Sequence, residues 1–267
     1  MKLQAEGNSH IGLKRRVNED SFIIRPDLDI YIVADGMGGH KAGEVASRMV
    51  VETITDYWER LRSKEIPAFL APVKKDIPEI AKHLVNSISM TNIVVHEAQK
   101  KPQYLRMGST VSAALLEEDT VWLANVGDSP IYLHNRKGLR LLSEEHSIEA
   151  EQKNMGFEVS LTSTNPMMKN MLTRVMGMEE KVEVYITGII PEIGDKILMC
   201  SDGLTNYLPE ESIKAILDDF SMPDERKVNV LIDEANKGGG GDNITVVLLT
   251  VIAETRWDRI KKKFKNS

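Results

Sequence analysis

The sequence predicts an α+β fold, in which antiparallel strands and amphipathic helices come from separate blocks of the chain. From Thr110 onward, apolar runs are separated by polar breaks of only a few residues. A parallel crossover needs about a dozen residues or more, so breaks this short permit only antiparallel connections. In the block before Thr110, by contrast, apolar residues recur at helical spacing.

The apolar runs after Thr110 predict consecutive strands of one antiparallel meander. These strands are Val111–Leu116, Val121–Val126, Ile131–His134 and Leu139–Leu142. Further strands are expected at Ile30–Ala34, Val182–Ile186, Lys196–Cys200 and Ile244–Ile252.

Two long stretches carry apolar residues three or four positions apart, which is typical of amphipathic helices. The first stretch contains Val50, Ile54, Tyr57 and Leu61, and the second contains Ile77, Ile80, Leu84, Ile88 and Val95. Shorter helices are expected around Ile213–Phe220 and Val228–Ala235. We expect these helices to cover faces of the sheet.

The composition favours one globular domain without a nucleic-acid partner. The chain has 267 residues, of which 42% are hydrophobic and 28% are charged, and no linker rich in Pro, Gly or Ser divides it. Its net charge of −6 provides no field that would attract a polyanion. The N-terminus lacks the apolar core of a signal peptide, and the longest apolar stretch, Ile244–Ala253, is too short to span a bilayer. We therefore expect a cytoplasmic protein.

The cysteine content excludes one class of phosphatase. Cys200 is the single cysteine, so neither an internal disulfide nor a Cys-rich zinc site can form. A cysteine-dependent phosphatase also needs an arginine six positions after its nucleophile, to hold the phosphate. Asn206 occupies that position.

Four aspartates, Asp35, Asp128, Asp202 and Asp242, each lie beside a glycine at the beginning or end of an apolar run. Any one of them could be a turn residue, because Asp and Gly favour turns. If the sheet edges gather all of these carboxylates, however, their repulsion destabilises the fold unless a hard divalent cation neutralises them. Oxygen ligands without a Cys/His cluster select Mg²⁺ or Mn²⁺ rather than zinc, and an adjacent glycine carbonyl can join the coordination.

A second acidic group, Glu19-Asp20, follows the basic residues Lys14, Arg15 and Arg16. By itself this could be an ordinary charged turn. The alternative is a site in which carboxylates bind cations beside a guanidinium that suits the oxygens of a phosphate. Two such cations could activate a water molecule and clamp a phosphate.

Eight short motifs between residues 7 and 252 occur together in one order. They are Arg15-x-x-Asn18-Glu19-Asp20, Val33-Ala34-Asp35-Gly36-Met37-Gly38-Gly39-His40, Gly108-Ser109-Thr110, Val126-Gly127-Asp128-Ser129, Glu145-His146-Ser147, Leu172-Thr173-Arg174-Val175-Met176-Gly177, Cys200-Ser201-Asp202-Gly203-Leu204 and Gly241-Asp242-Asn243-Ile244-Thr245. With these motifs the sequence resembles the metal-dependent protein Ser/Thr phosphatases of the type 2C class, and especially its compact bacterial members.

The resemblance implies two antiparallel sheets packed as a sandwich between helices, in α-β-β-α layers, with a metal centre at one edge. It implies a catalytic domain over residues 1–253, in which 148–170 matches the family's mobile flap. Met155, Met167 and Met168 suit an adaptable substrate-facing surface there, or they simply fill gaps. Residues 254–267 form a basic amphipathic tail, which we expect to be a solvated helix or disordered. Contact with a partner or an anionic membrane surface is the less favoured alternative.

The resemblance also implies the metal ligands. Asp35 would bridge two tightly held Mg²⁺ or Mn²⁺ ions. Glu19 and the Gly36 carbonyl would complete the coordination of one ion, and Asp202 and Asp242 would hold the other.

Three further positions take their roles from the same resemblance. Asp20 is expected to support the metal ligands from behind, and Asp128, together with Asp202, matches a weaker third metal position of bacterial relatives. Arg15 matches the family's phosphate-binding arginine and, with Asp35, is expected to be catalytic. Its neighbour Arg16 is expected to be solvated.

The sequence departs from the family pattern at several positions. Animal members have a histidine, a candidate general acid, where this chain has Met37, so the acid that protonates the leaving group is unassigned. His40 and His146 are the candidates, although a lone histidine is more often structural. Glu145 and Asn206 stand where many relatives have aspartate. Neither is a metal ligand, so activity is expected to survive.

The activity implied is hydrolysis of phosphoserine and phosphothreonine on proteins by a metal-activated water, without a covalent phosphoenzyme. The expected partners are phosphoprotein substrates and an opposing bacterial Ser/Thr kinase of the eukaryotic-like type. One alternative is a catalytically silent pseudophosphatase that binds and regulates a partner, against which the intact Asp35, Asp202 and Asp242 argue. Another is a phosphatase specialised for an anti-sigma antagonist, but the stand-alone domain and complete arginine motif favour the broader activity.

Overall fold

Two antiparallel sheets lie face to face at the centre of the molecule, in a computed structural model that describes residues 1–38, 42–65, 67–70, 76–156 and 171–255. Neighbouring strands of the first sheet are β1 (Lys2–His10), β11 (Ile244–Ile252), β10 (Lys196–Cys200), β7 (Ile131–Asn135) and β8 (Gly138–Leu141). Neighbouring strands of the second sheet are β2 (Asp20–Arg25), β3 (Ile30–Met37), β5 (Val111–Glu117), β6 (Thr120–Val126) and β9 (Tyr185–Ile189). The short strand β4 (Gly108–Ser109) pairs with the end of β3.

Helices cover the outer face of each sheet. The second sheet packs against α1 (Ala42–Arg62) and α2 (Glu79–Ala98). The first sheet packs against α4 (Asp202–Thr205), α5 (Glu210–Asp218) and α6 (Asp224–Lys237). Further helices are α3 (Ile148–Asn154) and a short 3₁₀ helix (Pro102–Tyr104), whose Tyr104 packs against the core beneath α1 and α2. The expected α+β sandwich with α-β-β-α layers is confirmed.

Strand β3 is buried on both faces because it lies between two apolar layers. Tyr31 and Val33 point into the core between the sheets, where they join residues such as Val247 of β11. Ile30 and Ile32 point the other way, into the core beneath α1 and α2. Since successive side chains of a strand face opposite sides, a strand covered on both sides reads as a continuous apolar run.

The expected single meander is wrong. The strands β5 and β6 form one antiparallel hairpin and β7 and β8 form another, but β6 and β7 lie in different sheets. The turn at Gly127–Pro130, in which Gly127 has a φ of 103°, carries the chain from one sheet to the other. The free side of β6 is taken by β9 instead. A short break limits how far the chain can travel, but it does not require the flanking strands to pair.

Other boundaries differ in detail. The strand expected at Val182 begins at Tyr185, and the helix expected to reach Phe220 ends at Asp218. The expected tail lies outside the described residues from Arg256 onward. In the part of the chain that is described, no helix has the length and apolar character needed to cross a membrane.

Candidate metal and phosphate site

Acidic side chains from separate parts of the chain meet at one edge of the sandwich. Asp35 lies near the end of β3, Asp128 follows β6, Asp202 begins α4 directly after β10, and Glu19 and Asp242 shortly precede β2 and β11. With Arg15 and Gly36 they line one cleft of about 400 Å³. The structure therefore brings together every residue expected at the site except Asp20, which lies behind the cleft.

Asp20 is held beneath the cleft by long-range contacts. The pairing of β2 with β3 places it directly opposite Asp35. Ser201 Oγ and Thr245 Oγ1 donate hydrogen bonds to Asp20 Oδ2 at 2.7 and 2.6 Å. Burial raises the pKa of Asp20 to about 7, helped by the charges of Asp202 and Asp242 and opposed by these hydrogen bonds.

Glu19 lies against the first turn of α1. A Cβ atom at Gly43 would fall 2.4 Å from Glu19 Oε1, and one at Gly36 would fall 2.1 Å from the Gly43 carbonyl oxygen. Glycine at these two positions therefore lets the backbone approach the carboxylate closely. Burial raises the pKa of Glu19, and the charge of Arg15 opposes this rise.

Two carboxylate oxygens of the site, Glu19 Oε1 and Asp20 Oδ1, are buried without a hydrogen-bond partner among the described residues. Burying such an atom unpaired costs free energy. A divalent cation satisfies carboxylate oxygens, and the all-oxygen donor set of the cleft suits Mg²⁺ or Mn²⁺. The residues present therefore fit a metal site.

The remaining carboxylates also oppose one another's ionisation. Burial, followed by the charges of Asp20 and Asp202, raises the pKa of Asp35 well above its ordinary value. Burial and the charge of Asp202 raise the pKa of Asp128 to about 7. Burial and the charge of Asp242 raise the pKa of Asp202. Negative charges gathered in this way are relieved by a bound cation.

In the described residues, no three His, Cys, Asp or Glu side chains already form a closed cage around one point. Two of the carboxylates have polar partners instead. Asp202 Oδ2 accepts a hydrogen bond from Asn206 Nδ2 at 2.9 Å. Arg15 Nη2 donates to Asp242 Oδ2 at 2.8 Å. Asp202 and Asp242 thus have polar partners, which they would exchange for a cation.

Arg15 lies at the rim of the cleft with 47% of its side chain exposed. The hydrogen bond that Arg15 donates to Asp242 raises the pKa of Arg15, so the guanidinium stays charged. A half-exposed guanidinium can also reach a ligand that enters the cleft. Arg16 is also exposed, but it does not line the cleft.

Of the two candidate acids, His40 lies outside the described residues, and His146 is fully buried. Its Nδ1 accepts the backbone N–H of Gly127 at 3.0 Å, and its Nε2 lies 3.1 Å from Arg174 Nη1. Burial and the charge of Arg174 lower the pKa of His146 to about 4. His146 therefore supports the turn before Asp128, and it does not reach the cleft to donate a proton.

Sequence reasoning assigned no role to Asn243, although it belongs to one of the motifs. Its Oδ1 accepts the backbone N–H of Glu19 at 2.8 Å. Its Nδ2 donates to the carbonyl oxygens of Ile11 and Val17 at 2.9 and 3.0 Å. Asn243 therefore holds the loop that carries Arg15 and Glu19 against the end of β11. Its place directly after Asp242 was the available signal.

The part of the expected flap that the structure describes contributes little to the cleft. Met155, at the end of α3, is exposed and does not line it. Met167 and Met168 lie outside the described residues. Methionines beyond the expected flap, Met171 and Met178, line the cleft instead.

Comparison with known proteins identifies the family. A family model described as Protein phosphatase 2C matches residues 6–232. The serine/threonine phosphatase stp of Listeria welshimeri is 39% identical over 255 residues, which are 92% of this chain and 95% of that protein. The S. agalactiae serine/threonine phosphatase superposes with a TM-score of 0.79 at 30% identity, over 93% of this chain and 99% of that one. The catalytic domain of the serine/threonine phosphatase PstP, in complex with two manganese ions, superposes with a TM-score of 0.75 at 28% identity, over 94% and 99% of the two chains. The family model spans most of the chain, and the Listeria welshimeri phosphatase matches nearly all of it. The chain therefore belongs to the protein phosphatase 2C family.

Proposed function

We propose that this protein is a Mg²⁺- or Mn²⁺-dependent phosphatase that hydrolyses phosphoserine and phosphothreonine on proteins. The observation that carries the proposal is the cleft itself, in which carboxylates from distant parts of the chain meet beside Arg15. The relatives named serine/threonine phosphatase and the manganese-bound structural neighbour support both the activity and the choice of metal.

The ligand roles are those that the resemblance to the type 2C phosphatases implies, and the gathering of the carboxylates in one cleft supports them. Asp35, at the centre of the cluster, would be shared by two ions. Glu19 and the Gly36 carbonyl would complete one site, and Asp202 and Asp242 would complete the other. Asp20 would stabilise the centre from behind, and Asp128 with Asp202 would hold a weaker third ion. The buried, unpaired oxygens of Glu19 and Asp20 support this assignment.

When bound, the ions would lower the pKa of a water molecule that attacks phosphorus and would neutralise charge on the phosphoryl oxygens. The chain's own contribution is to orient the phosphate. Arg15 would exchange its contact with Asp242 for phosphate oxygens, which a planar guanidinium can bind with two parallel hydrogen bonds. No Cys or Ser nucleophile is required, and Cys200 is buried with its pKa raised by burial.

Residues 1–253 would form one catalytic unit, because β1 at the start of the chain pairs with β11 near its end, Lys2 opposite Ile252. Residues 148–170 would form the flap, and residues 254–267 would be a separate tail. The biological counterpart would be a bacterial Ser/Thr kinase of the eukaryotic-like type, whose products this enzyme returns to the unphosphorylated state.

The test is Asp35→Asn, measured by phosphopeptide turnover and by calorimetric titration with Mn²⁺. We expect turnover to be abolished and Mn²⁺ binding to be weakened, because one shared charge is removed from both ions. Asp56→Asn is the matched control, since Asp56 is exposed on α1 and does not line the cleft. Near-wild-type turnover in Asp35→Asn would refute the assignment. A protein that binds Mn²⁺ but hydrolyses no phosphopeptide would instead be a pseudophosphatase.

A further inference from the structure

The lining of the cleft is of two kinds. Part of it consists of the carboxylates and Arg15, and another part consists of five apolar side chains that we call the apolar wall, Met37, Met171, Leu172, Val175 and Met178. On the apolar wall, Met171 and Met178 are 54% and 59% exposed. Large apolar side chains are more often buried, so exposed ones grouped beside a reaction site call for an explanation.

Two side chains of the apolar wall, Met37 and Val175, pack over the same glycine. A Cβ atom at Gly108 would meet Val175 Cγ1 at 2.7 Å and Met37 Cγ at 3.5 Å. The side chains of Met37 and Val175 therefore both pack over Gly108 on β4. Strand β4 also joins the two parts of the chain, because Gly108 pairs with Met37 of β3 and Ser109 forms a bridge with Met176.

The backbone of residues 171–178 is anchored along its length. The N–H groups of Met176 and Thr173 donate to the carbonyl oxygens of Ser109 and His146 at 2.8 and 2.9 Å. The Gly177 N–H donates to Asn92 Oδ1 at 2.7 Å. Exposure of the methionine side chains therefore does not come from a loosely held loop. Methionine is unbranched and polarisable, so it can adapt to apolar groups of different shape.

We propose that Met37, Met171 and Met178 select substrates in which an apolar side chain lies close in sequence to the phosphorylated residue. This inference rests on the proposed function. Adjacent residues of a chain are about 3.8 Å apart, so a segment that delivers its phosphate to Arg15 lays its neighbouring side chains against the walls of the same cleft. An apolar neighbour gains by leaving water at the methionine wall.

Phosphothreonine peptides test the proposal. A single Leu is placed in turn at each of about three positions on either side of the phosphothreonine, with Ser and Gly elsewhere, and kcat/KM is measured with Mn²⁺. For at least one position we expect the Leu peptide to be preferred over the Ser/Gly peptide by about 5- to 10-fold, because one side chain is partly buried. In the double variant Met171→Ser/Met178→Ser this ratio should fall below about twofold. Because both peptides are measured with the same variant, the ratio of their kcat/KM values is unaffected by a general change in catalytic rate.

Ile193→Ser is the matched control, because Ile193 is 68% exposed but lies outside both the cleft and the expected flap, and it should keep the wild-type preference. No preference in the wild type, or a preference that survives in the double variant, would overturn the inference. A different result would also overturn it: the wild type shows no peptide preference but self-associates in sedimentation, and the double substitution abolishes the self-association. The apolar wall would then bind a second copy of the chain. Failure to hydrolyse p-nitrophenyl phosphate and every peptide would refute the proposed function itself.

Discussion

Asn243 Oδ1 accepts the backbone N–H of Glu19 at 2.8 Å, so the residue that follows Asp242 is hydrogen-bonded directly to the backbone of Glu19. Asn243→Ala removes this bond and also leaves the carbonyl oxygens of Ile11 and Val17 without their donor. Leaving buried polar groups unsatisfied costs about 1–3 kcal/mol each, and the loop that carries Glu19 should shift. We expect a lower free energy of unfolding and weaker Mn²⁺ binding, measured by denaturant titration and calorimetry.

Asn8→Ala is the matched control for Asn243→Ala. Asn8 Nδ2 donates to Asn229 Oδ1 at 2.7 Å in an exposed side-chain pair. Its loss should change stability by less than about 1 kcal/mol, because water can replace the bond, and Mn²⁺ affinity should not change. Equal effects of the two substitutions would show that Asn243 does not position the site.

Arg15→Ala should chiefly raise KM for a phosphopeptide. Hydrogen bonds to a charged group contribute about 1.5–3 kcal/mol, and the half-exposed position of Arg15 favours the lower end, so kcat/KM should fall about tenfold. Mn²⁺ affinity should stay the same or rise, because Asp242 loses the guanidinium that competes for its Oδ2. Parallel kinetics of Arg16→Ala provide the comparison, and a larger defect in Arg16→Ala would assign the phosphate to the other arginine.

The substitution Asp128→Ala tests whether Asp128 acts through metal binding or through the stability of the fold. Asp35, Glu19, Asp202 and Asp242 remain in Asp128→Ala, so two ions should still bind, while turnover should fall when Mg²⁺ or Mn²⁺ is limiting. Burial raises the pKa of Asp128 to about 7, so its ionised form is disfavoured in the fold. Removing the carboxyl should therefore leave the melting temperature in EDTA unchanged or higher at neutral pH.

Metal-dependence curves and thermal melts of Asp128→Ala decide between the two roles of this residue. If turnover matches the wild type at every metal concentration, Asp128 is a turn residue and the third ion is absent. A melting temperature lowered in EDTA would add that the turn itself stabilises the fold.

The strands that the sequence predicted best are those whose side chains are buried on both faces. Lys196–Cys200 and Ile244–Ile252 match β10 and β11, because both are continuous apolar runs that end in polar turns. Strand β1, Lys2–His10, was not predicted, because it lies at the edge of its sheet and mixes polar with apolar residues on partly exposed faces. Within the described residues it pairs with β11 alone, which lies far away in the sequence.

The residues of the site also divide into those that local sequence predicts and those that it does not. The carboxylates could be predicted because each acidic residue beside a glycine follows or precedes an apolar run. Their supporting partners could not, because those depend on the register of long-range pairing. Ser201 and Thr245 reach Asp20 across 181 and 225 residues of sequence. No local pattern encodes such contacts.

The burial of His146 predicts a distinct pH dependence of stability. Its pKa is lowered from 6.5 to about 4 by burial and by Arg174. Between these values the unfolded chain binds a proton that the folded chain does not, so the free energy of unfolding falls as the pH drops below 6.5 and the loss is complete near pH 4. At about 1.4 kcal/mol per pH unit, the free energy of unfolding of the wild type should fall by about 2 kcal/mol from about pH 7 to about pH 5 because of this group alone.

His146→Asn tests this prediction. The asparagine keeps a side-chain acceptor for the Gly127 N–H but cannot titrate, so the variant should lack this pH-dependent contribution to stability. Urea unfolding of the wild type and of His146→Asn across this pH range measures the difference in their free energies of unfolding. The contributions of the carboxylates, which both proteins share, cancel in that difference. Parallel pH profiles, or an imidazole that titrates near 6.5 by NMR, would mean that His146 is accessible to solvent protons in the folded protein and would reopen its candidacy as the general acid.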